Sequence, residues 1–245
     1  MKSLSVIVPV FNEETTIRQV LSEVRKQSTE SLRVECIVVD DASTDGTAAV
    51  LAGCTDLYTK LVTHPRNRGK GAAVISGLEV ATGDFVLVQD ADLEYSPSEY
   101  PKLMQPALEF GAELVLGSRF LAPAWTRVNY FWHKVGNRII TLVFNILNNT
   151  TFTDVYCGMI LFDRSLVQPS ELKCAGWAQH AEILSRALAR TKVTYEVSIS
   201  YTGRTYAEGK KIRARHMVSV IWTIFSERMR RLVHPSTRPA ARPPA

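Results

Sequence analysis

Asp90, Asp92 and Glu94 stand at alternate positions directly behind the apolar run Phe85-Val86-Leu87-Val88. A run that short, preceded by Thr82-Gly83-Asp84, predicts a buried strand rather than a helix. The acids then fall where the strand ends, and in open α/β sheets ligands bind outside the carboxyl ends of the strands. Carboxylates crowded at such a point repel one another unless a hard cation sits among them. Mg2+ or Mn2+ suits oxygen ligands, and such a cation commonly takes phosphate oxygens as well. A solvated polar loop uses the same residue types, and an isolated Asp-x-Asp does not separate the two.

Two more groups fall at strand ends. Asp40 and Asp41 follow the β-branched stretch 34–39, where a carboxylate can accept hydrogen bonds from ribose hydroxyls or a base edge. Ser43, Thr44 and Asp45 just behind them are good helix caps, the structural alternative for this cluster. Asn67-Arg68-Gly69-Lys70-Gly71 brings a lysine to the start of a helix and resembles a phosphate cradle, without P-loop spacing.

The elements that must position these groups alternate along the chain. Strands are expected at 5–10, 34–39, 61–64, 85–88, 114–117, 159–162 and 193–199. Helices are expected over 14–26, with Ile17, Val20, Leu21 and Val24 at helical spacing, then up to Ala52, up to Val80, and over 98–110, 177–189 and 215–232. Such alternation predicts an α/β fold, a mostly parallel sheet with helices on both faces. It also puts the acidic clusters on one edge of that sheet.

The 245 residues suffice for one large core, expected over 1–233, followed by a Pro- and Arg-rich tail at 234–245 that reads as disordered. A net charge of +5 suits an anionic partner. The arginines do not punctuate a recognisable nucleic-acid motif, and sheet-edge acids repel phosphate without a metal, so no nucleic acid is expected. Cys36, Cys54, Cys157 and Cys174 lack metal-ligand spacing and read as reduced thiols of a cytosolic protein.

Neither a signal peptide nor a spanning helix is expected, which leaves room for attachment to a membrane surface. Residues 125–148 carry a stripe of Val128, Phe131, Trp132, Val135, Ile139, Leu142, Val143 and Ile146, edged by Arg127, Lys134 and Arg138. Residues 213–232 set Val218, Trp222 and Phe225 beside Arg213, Arg215, Arg228, Arg230 and Arg231. Both have the composition of helices lying in an anionic membrane interface. A core-packing helix would show the same stripe.

Taken together, residues 6–13, Val39-Asp40-Asp41-Ala42-Ser43-Thr44-Asp45-Gly46-Thr47, Asn67-Arg68-Gly69-Lys70-Gly71, Asp90-Ala91-Asp92 and Gly117-Ser118-Arg119 resemble glycosyltransferase family 2, of the GT-A fold. Within it the chain is similar to the polyprenyl-phosphate sugar synthases, of the dolichyl-phosphate mannosyltransferase kind, from Val6 to about Glu227. The resemblance implies inverting, metal-dependent transfer of a hexose from a UDP- or GDP-linked nucleotide sugar to a polyprenyl phosphate. The enzyme would sit peripherally at the cytoplasmic membrane face. Asp90, Asp92 and Glu94 would hold Mg2+ or Mn2+, with Glu94 standing where many members have an amide. Pro9, Phe11, Glu13 and Asp41 would line the nucleoside pocket, with Lys70 and Ala91 also on the donor. A mobile loop over 201–212 would close on the donor and bring Arg204 and Lys211 to its phosphates. Asp92, Arg119 and Arg204 would carry catalysis, and Ile160 occupies a position often basic in relatives.

The nature of the acceptor divides the remaining readings. A phosphate monoester is already anionic and needs cations to position it, for which Arg119 and Arg138 are the candidates, since guanidinium grips two oxygens at once. A hydroxyl acceptor needs a general base, and Asp154, His180 and Glu182 are the candidates there. A lone histidine such as His180, on a helix two before Glu182, reads first as structural.

Overall fold

A computed structural model describes residues 2–30, 32–121, 131–203 and 216–233. Strand β1 (Lys2–Val10) is the axis of a seven-stranded sheet. It pairs in parallel with β2 (Leu32–Asp40) on one side and with β4 (Phe85–Val88) on the other. Adding β3 (Lys60–Thr63), β5 (Leu114–Ser118), β6 (Ile160–Asp163) and β7 (Thr194–Ser198) gives the order β3-β2-β1-β4-β6-β5-β7. Only β6 runs against its neighbours, antiparallel to both β4 and β5. The expected mostly parallel sheet is therefore present, with one reversed strand that an apolar run cannot announce, because burial pattern carries no direction. The reversal matters for the site. β6 enters the sheet at the edge where its parallel neighbours leave it, so the loop before β6 lies among their carboxyl ends.

The strands alternate between two cores, as a period of two requires. Val6, Val8, Val38, Phe85 and Leu87 face one side, packed on helices α1 (Ile17–Lys26) and α4 (Tyr100–Glu109) with the short α2 (Thr47–Ala52) beside them. Ile7, Ile37, Val39, Val86 and Val88 face the other, under α3 (Lys70–Val80), α5 (Phe131–Asn148), α6 (Gln179–Leu188) and α7 (His216–Val233). Ile17, Val20, Leu21 and Val24 are the buried face of α1, as their spacing predicts. That helix starts three residues later than the expected 14, because Thr16 N and Ile17 N both donate to Glu13 O in a tight turn. The Thr16 hydroxyl is drawn across to Ala91 O at 2.7 Å.

The stripe expected on α5 faces outward. Phe131, Trp132, Leu142 and Ile146 are 59–76% exposed, whereas the helix is anchored by Ile140, Thr141 and Phe144. On α7, Val220, Thr223 and Ile224 are buried while Val218 and Trp222 are about two-thirds exposed. The two helices pack side by side, so they present a joint apolar surface. Among the described residues no helix is long and apolar enough to cross a membrane. Residues 125–130, 213–215 and the tail 234–245 lie outside the described residues.

Helix α7 is fastened to α6 by charge. The Arg186 guanidinium bonds Glu182 at 3.0 Å and Glu227 at 2.9 Å, with Glu171 at 3.5 Å. The side chains of Arg186 and Glu182 are both 2% exposed, so removing the cation leaves carboxylates without compensation in a dry interface. Arg186→Met should cost about 3–5 kcal/mol of unfolding free energy in urea titration, the range for breaking a buried ion pair from one side. A cost below about 1 kcal/mol, the surface-pair range, would show the cluster to be effectively solvated.

Candidate active site

At the carboxyl edge of the sheet, three non-glycine residues have left-handed backbone: Asn12 (φ 56), Ala42 (φ 60) and Leu93 (φ 61). They lie shortly after β1, β2 and β4, and each costs on the order of 1–3 kcal/mol that surrounding bonds must offset. Asn12 is held by Ser43 Oγ on its N–H at 3.0 Å, and its own Oδ1 accepts from Thr44 N at 2.8 Å. Leu93 is bracketed by a bond from Glu94 N to Asp92 Oδ1 at 3.1 Å. The turns that aim the site are thus bonded to one another across strands.

The paired acids behind β2 divide their work. Asp40 accepts from Ser43 N and Ser43 Oγ, and Asp45 accepts from Thr47 N and Thr47 Oγ1, so both are turn formers. Asp41 is 2% exposed and lines a cavity. Its Oδ1 accepts from Arg68 N at 2.8 Å and meets His64 Nδ1 at 2.7 Å, while its Oδ2 accepts from Gly69 N at 2.7 Å. His64 is in turn fixed by Ser76 Oγ at 2.9 Å. Nothing in the sequence marks His64 beyond its place at the end of β3.

The segment from Asn67 to Gly71 is built differently from a phosphate cradle. Arg68 N and Gly69 N serve Asp41, and Gly71 N and Ala72 N both donate to Ala175 O, at 2.7 and 3.2 Å. The amides of Gly71 and Ala72 in the first turn of α3 are therefore taken by protein. Gly69 (φ 93) supplies a backbone that a side chain would strain. What this loop offers the site is Lys70, whose Nζ is ion-paired with Asp90 Oδ1 and lies over the Trp177 ring at 5.6 Å.

Asp90, Ala91, Asp92 and Glu94 all line the cavity, with Pro9, Phe11, Glu13 and Arg119. Glu94 Oε2 accepts the Tyr201 hydroxyl at 2.9 Å, and the Tyr201 ring rests 4.9 Å from that of Tyr95. Gly158, before β6, comes so close to this group that a Cβ would stand 3.1 Å from Asp90 Oδ2 and 2.8 Å from the Tyr95 ring. Only glycine permits that approach. Ile160, two residues on, is 1% exposed and points into the core, away from any anion.

Arg119 lines the cavity with its charge oriented by Asp154, whose two oxygens accept from Nε at 2.6 Å and Nη2 at 2.8 Å. Asp154 is fully buried in this pair, and Glu182 accepts from Lys173 N, Cys174 N and Arg186. Neither carboxylate faces a substrate. Arg138 is exposed on α5 and outside the cavity wall, although its neighbours Asn137 and Ile139 belong to that wall. Arg204 and Lys211 lie outside the described residues, as does all of the expected loop beyond Gly203.

His180 does reach the cavity. Its Nε2 is buried without a partner among the described residues, and the ring stands edge-on to Tyr156 at 6.2 Å. Burial pushes its pKa down to about 4, helped by the positive charge of Lys70 and opposed by Asp90. The cavity, of about 820 Å3, continues from the acids past His180 to Trp132, Val135, Ile139 and Ile140 of α5 and Met217 and Val220 of α7. The strand-end loops contribute its acids and cations, and α5 and α7 contribute a mostly apolar wall in which His133 and Asn137 are polar. Because unfolded histidine titrates near 6.5 and His180 near 4 when folded, the unfolded chain binds the extra proton between those values. Stability should therefore fall as pH drops through that window. His180→Gln should lose less melting temperature between pH 7 and about 4.5 than wild type in calorimetry, and equal losses would place His180 in solvent.

The sequence profile described as glycosyl transferase family 2 matches residues 5–169, more than half of the chain. An undecaprenyl-phosphate 4-deoxy-4-formamido-L-arabinose transferase of Proteus mirabilis is 28% identical over 214 residues, 86% of this chain and 63% of its own length. The transferase of the same name from Aeromonas hydrophila is 28% identical over 228 residues, 91% of this chain and 67% of its own length. The chain thus spans roughly two thirds of the length of these relatives. Among solved structures it is similar to glucosyl-3-phosphoglycerate synthase of Mycobacterium tuberculosis with phosphoglyceric acid, at TM-score 0.68 and 22% identity over 92% of this chain and 80% of that one. The same enzyme with Mg2+ and UDP superposes at TM-score 0.67, over 92% of this chain and 79% of that one, at 22% identity. That likeness is one of fold, and it is the fold on which the matched profile and the strand-end acids are arranged: the chain belongs to glycosyltransferase family 2.

Proposed function

We propose that this chain transfers a sugar from a nucleoside diphosphate sugar to a polyprenyl phosphate, with inversion. The observation that carries the reading is the one cavity with two chemistries, acids and cations at the sheet edge and an apolar wall from α5 and α7. A sugar nucleotide matches the first part and an isoprenoid the second. The relatives named for undecaprenyl phosphate support the acceptor class.

The residues fit a divalent metal. Among the described residues no three His, Cys, Asp or Glu side chains gather on one point. Mg2+ and Mn2+ do not need that, since one or two carboxylates plus substrate phosphates make a usual site. Asp90 and Asp92 would hold the ion, and Glu94, engaged with Tyr201, would join only by leaving that bond. When bound, the metal stabilises charge on the departing diphosphate. Lys70 balances Asp90 here and, with an ion on that carboxylate, would be available to a donor phosphate. Pro9, Phe11, Glu13 and Asp41 would take the nucleoside, and Asp41 also stiffens the loop from Arg68 to Lys70. Asp92→Ala should lower turnover by a factor of about 10²–10³ or more with the fold retained. EDTA should abolish transfer by the wild type and Mn2+ should restore it. Near-normal activity of Asp92→Ala, or activity in EDTA, would remove the metal from the reading.

The acceptor phosphate would be met by Arg119 inside the cavity and Arg138 at its rim. Exposed Trp132, Leu142, Ile146, Val218 and Trp222 would seat the α5–α7 face on an anionic leaflet, giving peripheral attachment at the cytoplasmic side. The observed engagement of Asp154 and Glu182 counts against a hydroxyl acceptor, because it leaves only His180 as a base. A histidine with pKa near 4 is a weak one at neutral pH. Arg138→Ala should raise KM for a short polyprenyl phosphate roughly tenfold, the size of one charge-assisted hydrogen bond, and leave KM for the nucleotide sugar within about twofold. Equal effects on both substrates would take Arg138 out of acceptor binding, and efficient transfer to a saccharide hydroxyl in place of the lipid would overturn the acceptor.

A further inference from the structure

Two polar groups in the cavity wall are left unused by the reading above. Gln179, the first residue of α6, lines the cavity and is 4% exposed, and its Nε2 is buried without a hydrogen-bond partner among the described residues. His180 beside it has an Nε2 in the same condition. Two adjacent buried nitrogens without partners are costly, at about 1–3 kcal/mol each, unless a ligand completes them.

Their placement is enforced. The chain before α6 is tied over the start of α3 by Ala175 O, which accepts from Gly71 N and Ala72 N. Glu182, one turn into α6, accepts from Lys173 N and Cys174 N and closes the same loop from the other side. The Tyr156 hydroxyl donates to Trp177 O at 3.1 Å. This sets the Tyr156 ring edge-on to His180. Lys70 stands over Trp177 and pairs with Asp90, so the start of α6 is held against the acidic edge.

The chemistry of the pair selects its ligand. An amide and a neutral imidazole offer hydrogen bonds without charge, the equipment for a hydroxyl. A phosphate would draw on Lys70, Arg119 and the metal instead, and a nucleoside would sit at the far strands, by Pro9, Phe11 and Asp41. An isoprenoid has nothing to bond. We infer that Gln179 and His180 read the hydroxyl groups of the transferred sugar and so determine which nucleotide sugar the enzyme accepts. The Gln179 amide donates to a sugar oxygen, and His180 Nε2 donates to or accepts from a second one according to its tautomer. This inference rests on the proposed donor.

The test separates sugar binding from nucleotide binding. With Mn2+ present, calorimetry gives Kd for UDP, UDP-glucose, UDP-galactose and UDP-xylose, the last two differing from UDP-glucose by one epimeric hydroxyl and by one hydroxymethyl, and for GDP and GDP-mannose as the pair with the other base. The readout is the ratio of Kd for the bare diphosphate to that for its best sugar derivative. Gln179→Leu and His180→Phe should each lower that ratio about tenfold, as expected when a buried hydrogen bond to a hydroxyl is deleted. The bare diphosphate should bind as before, the preference among epimers should narrow, and His180→Gln, which restores a nitrogen, should recover most of the ratio. An unchanged ratio in folded variants, a wild-type ratio near one, or equal weakening of diphosphate and sugar derivative would overturn the inference and leave the donor standing. Wild type that binds none of the panel would overturn the proposed donor, and the inference with it.

Discussion

Charge compensation at the carboxyl edge of the sheet is the constraint on which the rest depends. The ends of β2 and β4 and the entry to β6 bring Asp41, Asp90, Asp92, Glu94 and Asp154 to one edge of the sheet. Lys70 answers Asp90, Arg119 answers Asp154, and backbone amides with His64 answer Asp41. These partners come from separate loops, so balancing the acids also ties the loops together. Asp41 fixes the turn before α3, and Asp154 fixes the exit of β5 through Arg119 N at 3.1 Å. These loops are thus held in register with one another, as positioning a reacting group requires.

The compensation is of two kinds, and the difference separates scaffold from chemistry. Asp154 and Glu182 have their oxygens occupied by bonds within the protein and lie in dry surroundings. Protonating Asp154 would take from Arg119 the carboxylate that holds it, and protonating Glu182 would break into the cluster around Arg186, which makes both poor proton acceptors for a substrate. Asp90 is balanced instead by Lys70, a point charge on a flexible stem whose side chain keeps 27% of its surface exposed, so this pair is the less enclosed kind.

Sequence pattern carried the parts of this arrangement that are local. The spacing of Ile17, Val20, Leu21 and Val24 fixes the inward face of α1, and the short apolar run ending at Val88 fixes where Asp90 emerges. Asp40 and Asp41 were legible as a pair, but not their division, since Asp40 serves Ser43 three residues on while Asp41 bonds partners 23 to 28 residues away. Asp154 read as a base because its partner Arg119 lies 35 residues away, whereas Glu182 has Arg186 only four residues on, a pair that spacing alone does not tell from a solvated one. On α5 the apolar stripe was legible and its direction was not. Ile139 and Ile140 are neighbours in the chain, yet one is 42% exposed and the other 4%, because a rotation of about 100° per residue separates core from surface. Gln179 carried no signal, being a common residue at a helix start that gains meaning only from the unpartnered atom beside a cavity.

The reversed strand explains why the cavity has two chemistries. In an all-parallel sheet the residues before each strand lie at the opposite edge from the ligand, so they cannot contribute to it. Because β6 runs antiparallel, Asp154, Tyr156 and Gly158 arrive at the carboxyl edge instead. The chain reaches them from α5, which must therefore cross the same edge, with its buried face at Ile140 and Phe144 and its outward face left apolar. Helix α7, packed on α5 and α6, completes that wall with Met217 and Val220. An apolar wall beside a cluster of acids is unfavourable in a closed core. It becomes useful when one substrate is anionic at one end and hydrocarbon along the rest, and the topology that admits Gly158 to within van der Waals reach of Asp90 is the one that puts α5 beside it.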